Sequence, residues 1–493
     1  MNLPVTTRWR CARPAALSFR TTMARWSVAP VALWAATALP AWGGTATDVA
    51  PPSWGLGDWL LALCLGILAG IVVLEALYTM RHYMFTINRL FGRQRPIYAS
   101  IEQANWPHIT VFIAAHNEES VISGCIEALL DVDYPRDRLT IMPVNDRSTD
   151  GTRHIIDSYA GQNPGRLQLF HRQDGPPGKA AALADATAIV QRQGDSELIV
   201  VFDADYLPGK KIIKQLVAPF LDPEIGAVMG RVVPQNAGVN LLTRLLDLER
   251  AGGYQVDQQA RYNIGAVAQY GGTVGGIRLS ALQDVGGWTP NVLAEDTDLT
   301  YRLLLKGWQT AYLGYAECYE EVPESWAVRF RQIGRWAKGH NQVMTSFGRD
   351  MLTRKGLTWM ERIDGIALLG VFLMSPILLL GWFLALVLTI TGYGIGAGVN
   401  IALLMLVITT GFACVGNFAA FFEVAAAVHL DGHQRRLRLL PLLLTGFVVS
   451  MIAVSKASID GLFLDKLLRR QFKWDKTVRY RQNTPPPPSG PAA

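Results

Sequence analysis

The sequence predicts an α/β domain with a mainly parallel sheet, set between apolar segments long enough to cross a membrane. Across the middle of the chain, apolar β-branched runs alternate with helical patterns, and the runs end in polar residues. Such alternation is typical of a parallel sheet covered by helices. Strongly apolar stretches lie before residue 80 and after residue 362, whereas residues 100–350 have ordinary globular composition.

The composition agrees with a membrane-associated chain. The 493 residues carry a net charge of +6, and 50% of them are hydrophobic. The mean hydropathy of +0.18 is high for a soluble enzyme, and the length allows one large or two to three ordinary domains. The five cysteines are scattered and form no CxxC pair, which argues against a disulfide framework or a thiolate metal site.

The first clear membrane segment comprises residues 56–78, about 23 residues that suffice to span a bilayer. Arg81, Arg89 and further basic residues follow it, so the positive-inside rule places the α/β region in the cytoplasm. An earlier apolar run, residues 27–43, follows several arginines. It is either a cleaved signal peptide or a first transmembrane helix.

Three further apolar segments follow the α/β region, at about 364–391, 400–428 and 438–460. Lys456 and Asp460 interrupt the third, which is either a full span or a re-entrant or interfacial hairpin. Glu75 and Glu423 lie within apolar segments. Each either lines a polar path or is paired with another group.

We therefore predict a multi-pass protein of the inner (plasma) membrane with a cytoplasmic α/β domain. The predicted parts are a basic N-terminal segment (1–55), a transmembrane helix (56–80), the α/β domain (100–325), interfacial helices (326–362), a C-terminal transmembrane region (363–463) and a basic, then proline-rich tail (464–493).

Acidic residues follow two of the predicted strands. In VFDADY, Asp203 and Asp205 come directly after an apolar run, and Asp146 ends an earlier one. Ligand-binding residues lie at the carboxyl ends of strands in such sheets. Two carboxylates two residues apart can hold a hard divalent cation through oxygen ligands. The alternative is a solvated acidic turn.

A second acidic group, Glu295, Asp296 and Asp298, begins a helical pattern. One of these carboxylates could act as a general base, and helix capping is the alternative. The glycine-dense stretch 271–278 either lets the backbone approach a substrate closely or is a simple loop. It lacks the order of a phosphate-binding or dinucleotide-binding loop.

The stretch RQIGRW places Gln332, Arg335 and Trp336 on one helical face, at i, i+3 and i+4. Arginine can neutralise a diphosphate, and tryptophan can stack on a sugar ring. The alternative is a helix at the membrane interface, anchored by its tryptophan and arginine.

The order and spacing of these motifs resemble the signature of processive family 2 glycosyltransferases. Asp146, the DxD motif, Asp296 and QxxRW occur in that order, and 35 residues separate Asp296 from Gln332. Cellulose, chitin, hyaluronan and poly-N-acetylglucosamine synthases carry this pattern. The resemblance covers roughly residues 56–480 and implies a GT-A fold, with a Rossmann-like sheet, inserted between transmembrane helices.

The resemblance also implies roles for individual residues. Asp296 would be the catalytic base, and Asp203 and Asp205 would hold Mg²⁺ or Mn²⁺. The nucleotide sugar would be bound by Ala115, Asn117, Glu118, Asp146, Lys179, Asp203 and Arg335. The acceptor would be bound by Gln332, Trp336, Gly272, Thr273 and Glu295.

The function that the resemblance implies is an inverting glycosyltransferase embedded in the membrane. It would polymerise sugar from a nucleotide diphosphate sugar, UDP-glucose or UDP-N-acetylglucosamine, into a β-linked polysaccharide and extrude it. The alternative is a non-processive family 2 enzyme that transfers one sugar to a lipid acceptor. The expected partners are the sugar donor, a growing polysaccharide, the lipid bilayer and an accessory export subunit; we expect no nucleic acid.

Overall fold

An eight-stranded sheet forms the centre of the α/β region. The computed structural model describes residues 55–95, 105–393, 396–414, 420–464 and 480. The strand order is β3-β2-β1-β4-β7-β6-β8-β5. The strands are β1 (Ile109–Ala115), β2 (Leu139–Asp146), β3 (Phe170–Arg172), β4 (Leu198–Asp203), β5 (Leu207–Pro208), β6 (Ile225–Pro234), β7 (Gly275–Arg278) and β8 (Gln309–Glu320).

The sheet is mainly parallel, as the alternating pattern predicts. Strand β1 pairs in parallel with β2 and β4, and β6 pairs in parallel with β8. Strand β7 lies antiparallel between β4 and β6. The carboxyl ends of β1, β2, β4, β6 and β8 therefore meet at one edge of the sheet, and the loop that leads into β7 lies at the same edge.

Helices cover both faces of this sheet. In β1, Val111 and Ile113 pack into one buried cluster, whereas Phe112 packs into a second cluster. A strand buried on both faces is apolar throughout, which explains the continuous apolar runs in the sequence. The helices of the region, after α1 (Leu56–Phe91), are α2 (Ile122–Leu130), α3 (Thr152–Gln162), α4 (Lys179–Gln193), α5 (Ile212–Val217), α6 (Leu241–Ala251), a π-helix (Gly252–Gln258), α7 (Gln259–Ile264), α8 (Leu279–Asp284) and α9 (Glu295–Lys306).

Long helices follow the sheet. They are α10 (Trp326–Thr353), α11 (Trp359–Gly370), α12 (Met374–Thr391), α13 (Ala397–Cys414), α14 (Phe421–Leu430) and α15 (Leu443–Ile459). Three helical stretches of the described chain are long and apolar enough to cross a membrane: Leu56–Phe91, Trp359–Thr391 and Gln434–Phe463. The predicted apolar segment 400–428 contains parts of two shorter helices, α13 and α14. Residues 27–43 lie outside the described residues.

Two predicted boundaries fall inside helices. Helix α1 runs past residue 80 to Phe91, because the basic residues after the apolar run continue the helix until Gly92. Arg81 is buried there, and its Nε donates to Asp364 Oδ1 at 2.7 Å. Helix α11, which contains Asp364, crosses the predicted boundary at residue 363. This ion pair joins the two helices. Each helix continues through the boundary that composition suggested.

The two acids in apolar segments have polar partners. Glu75 accepts a hydrogen bond from the Thr410 hydroxyl. Glu423 Oε2 lies 3.0 Å from His82 Nδ1 and also accepts from the backbone N–H of Ala420. These contacts fit the alternative in which each acid is a paired group.

Candidate active site

The acidic motifs of the sequence converge at the carboxyl edge of the sheet. Asp203 ends β4, and Asp205 follows in a tight turn and is buried. Lys179, the first residue of α4, extends its ammonium group between the motifs. Its Nζ lies 2.6 Å from Asp203 Oδ1 and 3.7 Å from Glu295 Oε1. One cation thus joins the DxD motif to the acidic pair at the start of α9.

The loop before β7 closes this cluster from the other side. The carbonyl oxygen of Gly272 accepts a hydrogen bond of 2.9 Å from Lys179 Nζ. Gly272 has a φ of +74°, and a Cβ at this position would lie 3.2 Å from Asp296 Cβ. Only glycine combines that backbone conformation with so close an approach to the acids. Glycine at position 272 therefore lets the backbone of this stretch lie directly against the carboxylates of Glu295 and Asp296.

Thr273 is engaged by the protein itself. Its hydroxyl accepts a hydrogen bond of 3.1 Å from the backbone N–H of Asp203. This contact fixes the end of β4 to the loop before β7. The predicted acceptor-binding role of Thr273 stays a prediction, but the contact gives this side chain a structural role.

Glu295 and Asp296 lie in the first turn of α9. Burial, together with the neighbouring Asp296 carboxylate, raises the pKa of Glu295 to about 7, although Lys179 opposes the rise. Burial also raises the pKa of Asp296, against a hydrogen bond of 2.6 Å from the backbone N–H of Thr297. A carboxylate with a raised pKa is a better proton acceptor near neutral pH, which is the property that a general base requires.

The capping alternative for this acidic group holds only in part. The residue at the N-cap position is Ala294, which makes no side-chain capping bond, and Asp296 accepts from the next residue of its own helix. Asp298 has a structural role instead, because its carboxylate accepts hydrogen bonds from Thr289 Oγ1 and Arg302 Nε, each at 2.8 Å.

Asp146, at the end of β2, is held by arginines. Its Oδ1 accepts from Arg172 Nη1 at 2.9 Å and from Arg147 Nε at 3.0 Å. Burial alone would raise the pKa of Asp146, but these two arginines more than offset burial and lower it. The two arginines therefore favour the charged form of Asp146 at the carboxyl edge. Its remaining capacity to accept hydrogen bonds suits the predicted contact with a nucleobase.

The loop after β1 is also fixed by short contacts. Ala115 ends the strand, and Asn117 has a φ of +55°. The side-chain oxygen of Asn117 accepts from the backbone N–H of Thr149 at 2.7 Å, and the backbone N–H of Glu118 donates to Thr152 Oγ1 at 2.8 Å. These bonds join the loops after β1 and β2, so the residues predicted to line a nucleotide pocket lie beside Asp146.

The QxxRW residues lie on α10, which returns to the same edge. A Cβ at Gly339 would lie 2.9 Å from the backbone nitrogen of Ala294, so α10 touches the residue that precedes Glu295. Gln332 Oε1 accepts from Arg329 Nη1 at 3.0 Å. Arg335 and Trp336 are half-buried on the same helix. Their predicted contacts with a diphosphate and a sugar stay predictions.

Sequence reasoning missed the residues that surround Trp336. The guanidinium carbons of Arg250 and Arg329 each lie 5.3 Å from the centre of the Trp336 ring. Arg250 Nε also donates to Glu320 Oε1 at 2.6 Å, and Tyr206 donates to the other oxygen of Glu320. Two features of the sequence could have indicated these residues: Tyr206 comes directly after the DxD motif, and Glu320 is part of the acidic pair Glu320–Glu321 at the end of β8.

The carboxylates of Asp203 and Asp205 fit a divalent metal by their chemistry. Both are hard oxygen donors at the end of one buried strand, which Mg²⁺ and Mn²⁺ prefer. The side chain of Asp205 is buried, whereas Asp203 is paired with Lys179, whose positive charge would compete with a metal ion for this carboxylate.

This sheet, with its acidic motifs at the carboxyl edge, defines an α/β domain of the GT-A class. Residues 107–339 match the family model described as "Glycosyltransferase like family 2". This part of the chain is therefore similar to glycosyltransferase family 2 domains. The solved structure of a mannosyltransferase from Pyrobaculum calidifontis in complex with GDP-Man and Mn²⁺ shares the fold, with a TM-score of 0.51 and 20% identity over 82% of this chain and 99% of that one.

Curated relatives match about half of the chain. A "Probable glycosyltransferase YdaM" of Bacillus subtilis is 34% identical over 269 residues, which cover 54% of this chain and 62% of the relative. A "Beta-monoglucosyldiacylglycerol synthase" of Synechocystis sp. is 34% identical over 260 residues, which cover 52% and 53%. The chain thus spans about half to three fifths of the length of these relatives.

Proposed function

We propose that this chain transfers a single hexosyl group from a nucleotide diphosphate sugar to a hydroxyl group of a membrane lipid. The observation that carries the proposal is the pair of partly buried carboxylates, Glu295 and Asp296, set against Lys179 and the DxD motif. This arrangement offers a base for the acceptor and cationic groups for the leaving diphosphate. The apolar helices that follow the domain would keep the edge of the sheet close to a lipid surface.

The reaction would be one displacement at the anomeric carbon. The acceptor oxygen forms a bond to this carbon while the bond to the diphosphate oxygen breaks, and the diphosphate leaves with the bonding electrons. Asp296 accepts the proton of the acceptor hydroxyl, because a neutral hydroxyl is a poor nucleophile. Lys179 and Arg335 stabilise the negative charge that develops on the leaving group. A displacement from one face inverts the anomeric centre.

A divalent metal fits this scheme. Mg²⁺ or Mn²⁺ held by Asp203 and Asp205 would neutralise part of the diphosphate charge. The Mn²⁺ of the Pyrobaculum mannosyltransferase complex supports the same class of ion here. Asp146 and the loop after β1 would bind the nucleoside, on the side of β4 away from α9.

The lipid acceptor is favoured over a polysaccharide by the relatives. Several relatives with 30–34% identity carry the name beta-monoglucosyldiacylglycerol synthase. That name supports glucose as the sugar, diacylglycerol as the acceptor and a β-linkage. The polymer-forming alternative rests on the 35-residue spacing between Asp296 and Gln332 and stays a prediction.

The test uses the purified full chain in vesicles that contain diacylglycerol, with radiolabelled UDP-glucose, UDP-N-acetylglucosamine and GDP-mannose and with Mg²⁺ or Mn²⁺. We expect a lipid-soluble product that carries one sugar, identified by mass spectrometry. A high-molecular-weight product that carries many sugar residues would establish polymerisation instead.

Two variants make the assay specific for the site. Asp296→Asn should lower transfer by at least about 10²-fold, within the usual range for loss of a general base, while binding of the donor nucleotide is retained. Asp284→Asn is the matched control, because Asp284 lies at the end of α8 and accepts from Trp308 Nε1. Equal activity of Asp296→Asn and the parent chain would contradict the proposed role of Asp296.

A further inference from the structure

A buried set of hydrogen bonds leads from the DxD motif to Trp336. Tyr206 follows Asp205 directly, and its hydroxyl donates to Glu320 Oε2 at 2.9 Å. The other oxygen, Glu320 Oε1, accepts from Arg250 Nε at 2.6 Å. Tyr206, Glu320 and Arg250 are each less than 10% exposed, so water does not compete for these bonds. We call these three residues the Tyr–Glu–Arg bridge.

The bridge ends on the ring of Trp336. The Arg250 guanidinium carbon lies 5.3 Å from the ring centre, a distance at which a cation interacts with an aromatic face. Arg329 lies at the same distance and donates to Gln332, and it is paired with Glu249, the neighbour of Arg250 on α6. Arg250, which is paired with Glu320, and Arg329, which is paired with Glu249, thus both contact a half-buried tryptophan.

The bridge joins three elements that the sequence separates widely. Tyr206 belongs to the turn after β4, Glu320 ends β8, and Arg250 lies in the last turn of α6, directly before the π-helix. Two hydrogen bonds, of 2.9 and 2.6 Å, therefore connect the turn that carries Asp205 to the arginine that contacts the tryptophan.

We propose that Tyr206, Glu320 and Arg250 are positioning residues, which fix the ring of Trp336 relative to the DxD carboxylates and so align the acceptor with the donor sugar. The inference rests on the proposed glycosyl transfer and on Trp336 facing the acceptor. Its physical basis is that transfer requires the acceptor oxygen at about 3–3.5 Å from the anomeric carbon, and a misplacement of about 1 Å can lower the rate about 10²-fold.

Three conservative variants test the bridge. Tyr206→Phe removes the hydroxyl, Glu320→Gln leaves one oxygen acceptor but removes the negative charge, and Arg250→Lys keeps the positive charge but loses the planar group that serves Glu320 and Trp336 together. For each we measure kcat and KM for the acceptor, KM for the donor, and the rate at which the donor is hydrolysed when no acceptor is present.

If the bridge positions the acceptor, its loss should slow transfer to the acceptor without slowing hydrolysis of the donor. We expect Arg250→Lys and Tyr206→Phe to lower kcat/KM for the acceptor about 10- to 100-fold, while donor KM and donor hydrolysis change less than about 3-fold. Glu320→Gln should lie between these variants and the parent. Because Tyr206 and Arg250 act through the same carboxylate, the double variant should lose much less than the product of the two single losses.

Matched controls remove the effect of general destabilisation. Tyr159→Phe deletes a tyrosine hydroxyl that donates to Glu127 on helices away from the carboxyl edge. Arg436→Lys alters an arginine that is paired with Asp247, and Asp247 lies on the same helix, α6, as Arg250. Both controls should leave the ratio of transfer to hydrolysis at the parent value.

Two outcomes overturn the inference. One is an unchanged acceptor kcat/KM in Arg250→Lys, and the other is a parallel fall of transfer and hydrolysis in the bridge variants. The measurement uses diacylglycerol vesicles or an oligosaccharide, whichever the parent chain glycosylates. If the lipid proposal fails, the parent chain itself does not glycosylate diacylglycerol. If the bridge proposal fails, the ratio of transfer to donor hydrolysis is the same in the variants as in the parent chain.

Discussion

Replacing Glu295 with glutamine should make the free energy of unfolding of the protein less sensitive to rising pH. Glu295 is partly buried beside Asp296, and the loss of hydration there raises its pKa from 4.5 to about 7 despite the nearby Lys179. The folded state therefore binds more protons than the unfolded state between pH 4.5 and about 7. The stability that the folded state has with a protonated Glu295 is fully present below pH 4.5 and is lost as the pH rises through about 7.

The size of the effect follows from the pKa. Each pKa unit corresponds to about 1.4 kcal/mol, so a rise from 4.5 to about 7 corresponds to a loss of about 3 kcal/mol above neutral pH. For a domain of this size, about 2–4 °C of melting temperature corresponds to 1 kcal/mol, so the loss amounts to roughly 6–12 °C. Glutamine has the shape of the protonated acid and carries no charge, so Glu295→Gln should avoid this loss.

The assay is unfolding of the purified full chain in mild detergent at pH 5 and pH 8, without donor or divalent metal. At pH 5 the parent and Glu295→Gln should have similar free energies of unfolding. At pH 8 the variant should be more stable by up to about 3 kcal/mol. Glu224→Gln is the control, because Glu224 is an exposed acid that accepts from Gln309. An identical response of parent and Glu295→Gln to pH would refute the reasoning.

Three further changes should be measurable. Gly272→Ala should strongly reduce transfer and lower stability by about 1–2 kcal/mol, because its φ is +74° and its Cβ would press on Asp296; transfer and melting assays on the same sample check this. Gly339→Ala should also reduce transfer, although alanine favours a helix, because its Cβ would lie 2.9 Å from Ala294; Gly348→Ala on the same helix, where a Cβ meets open space, should keep parent activity. Arg81→Met should lower the free energy of unfolding by about 3–5 kcal/mol, because it leaves the buried Asp364 without its ion pair, and a parent-like melting temperature would contradict this.

The sequence was sufficient for the class of fold and for the location of the acids. Apolar runs that end in Asp146 and Asp203 indicate strands buried on both faces, and the parallel order then brings their ends to one edge. The structure agrees with that prediction. The antiparallel position of β7 was not predictable, because GGIR is too short to carry a pattern that distinguishes the two directions.

The contacts between elements were out of reach of sequence reasoning. Arg81 was evidence for membrane orientation, yet its guanidinium is buried against Asp364, and only the packing of α1 on α11 reveals this. Arg250 and Glu320 lie 70 residues apart, and neither belongs to a motif. Pairs of this kind depend on tertiary structure, and a single sequence contains no periodicity that links them.

The 35-residue spacing between Asp296 and Gln332 has a structural explanation that applies to either acceptor. The interval contains most of α9, which runs from Glu295 to Lys306, and all of β8, which runs from Gln309 to Glu320. The chain leaves the carboxyl edge along the helix and returns to it along the strand. Helix α10 then starts beside that edge and touches Ala294 at Gly339.

One helix and one strand thus return the chain to the edge where Glu295 and Asp296 lie. The spacing agrees with the position of helix α10 beside these two acids, but it does not indicate the length of the product. Whether one sugar or many are transferred depends on what lies beyond Trp336, a lipid headgroup or a glycan path. For this reason the names of the relatives weigh more than the spacing in the choice of a lipid acceptor.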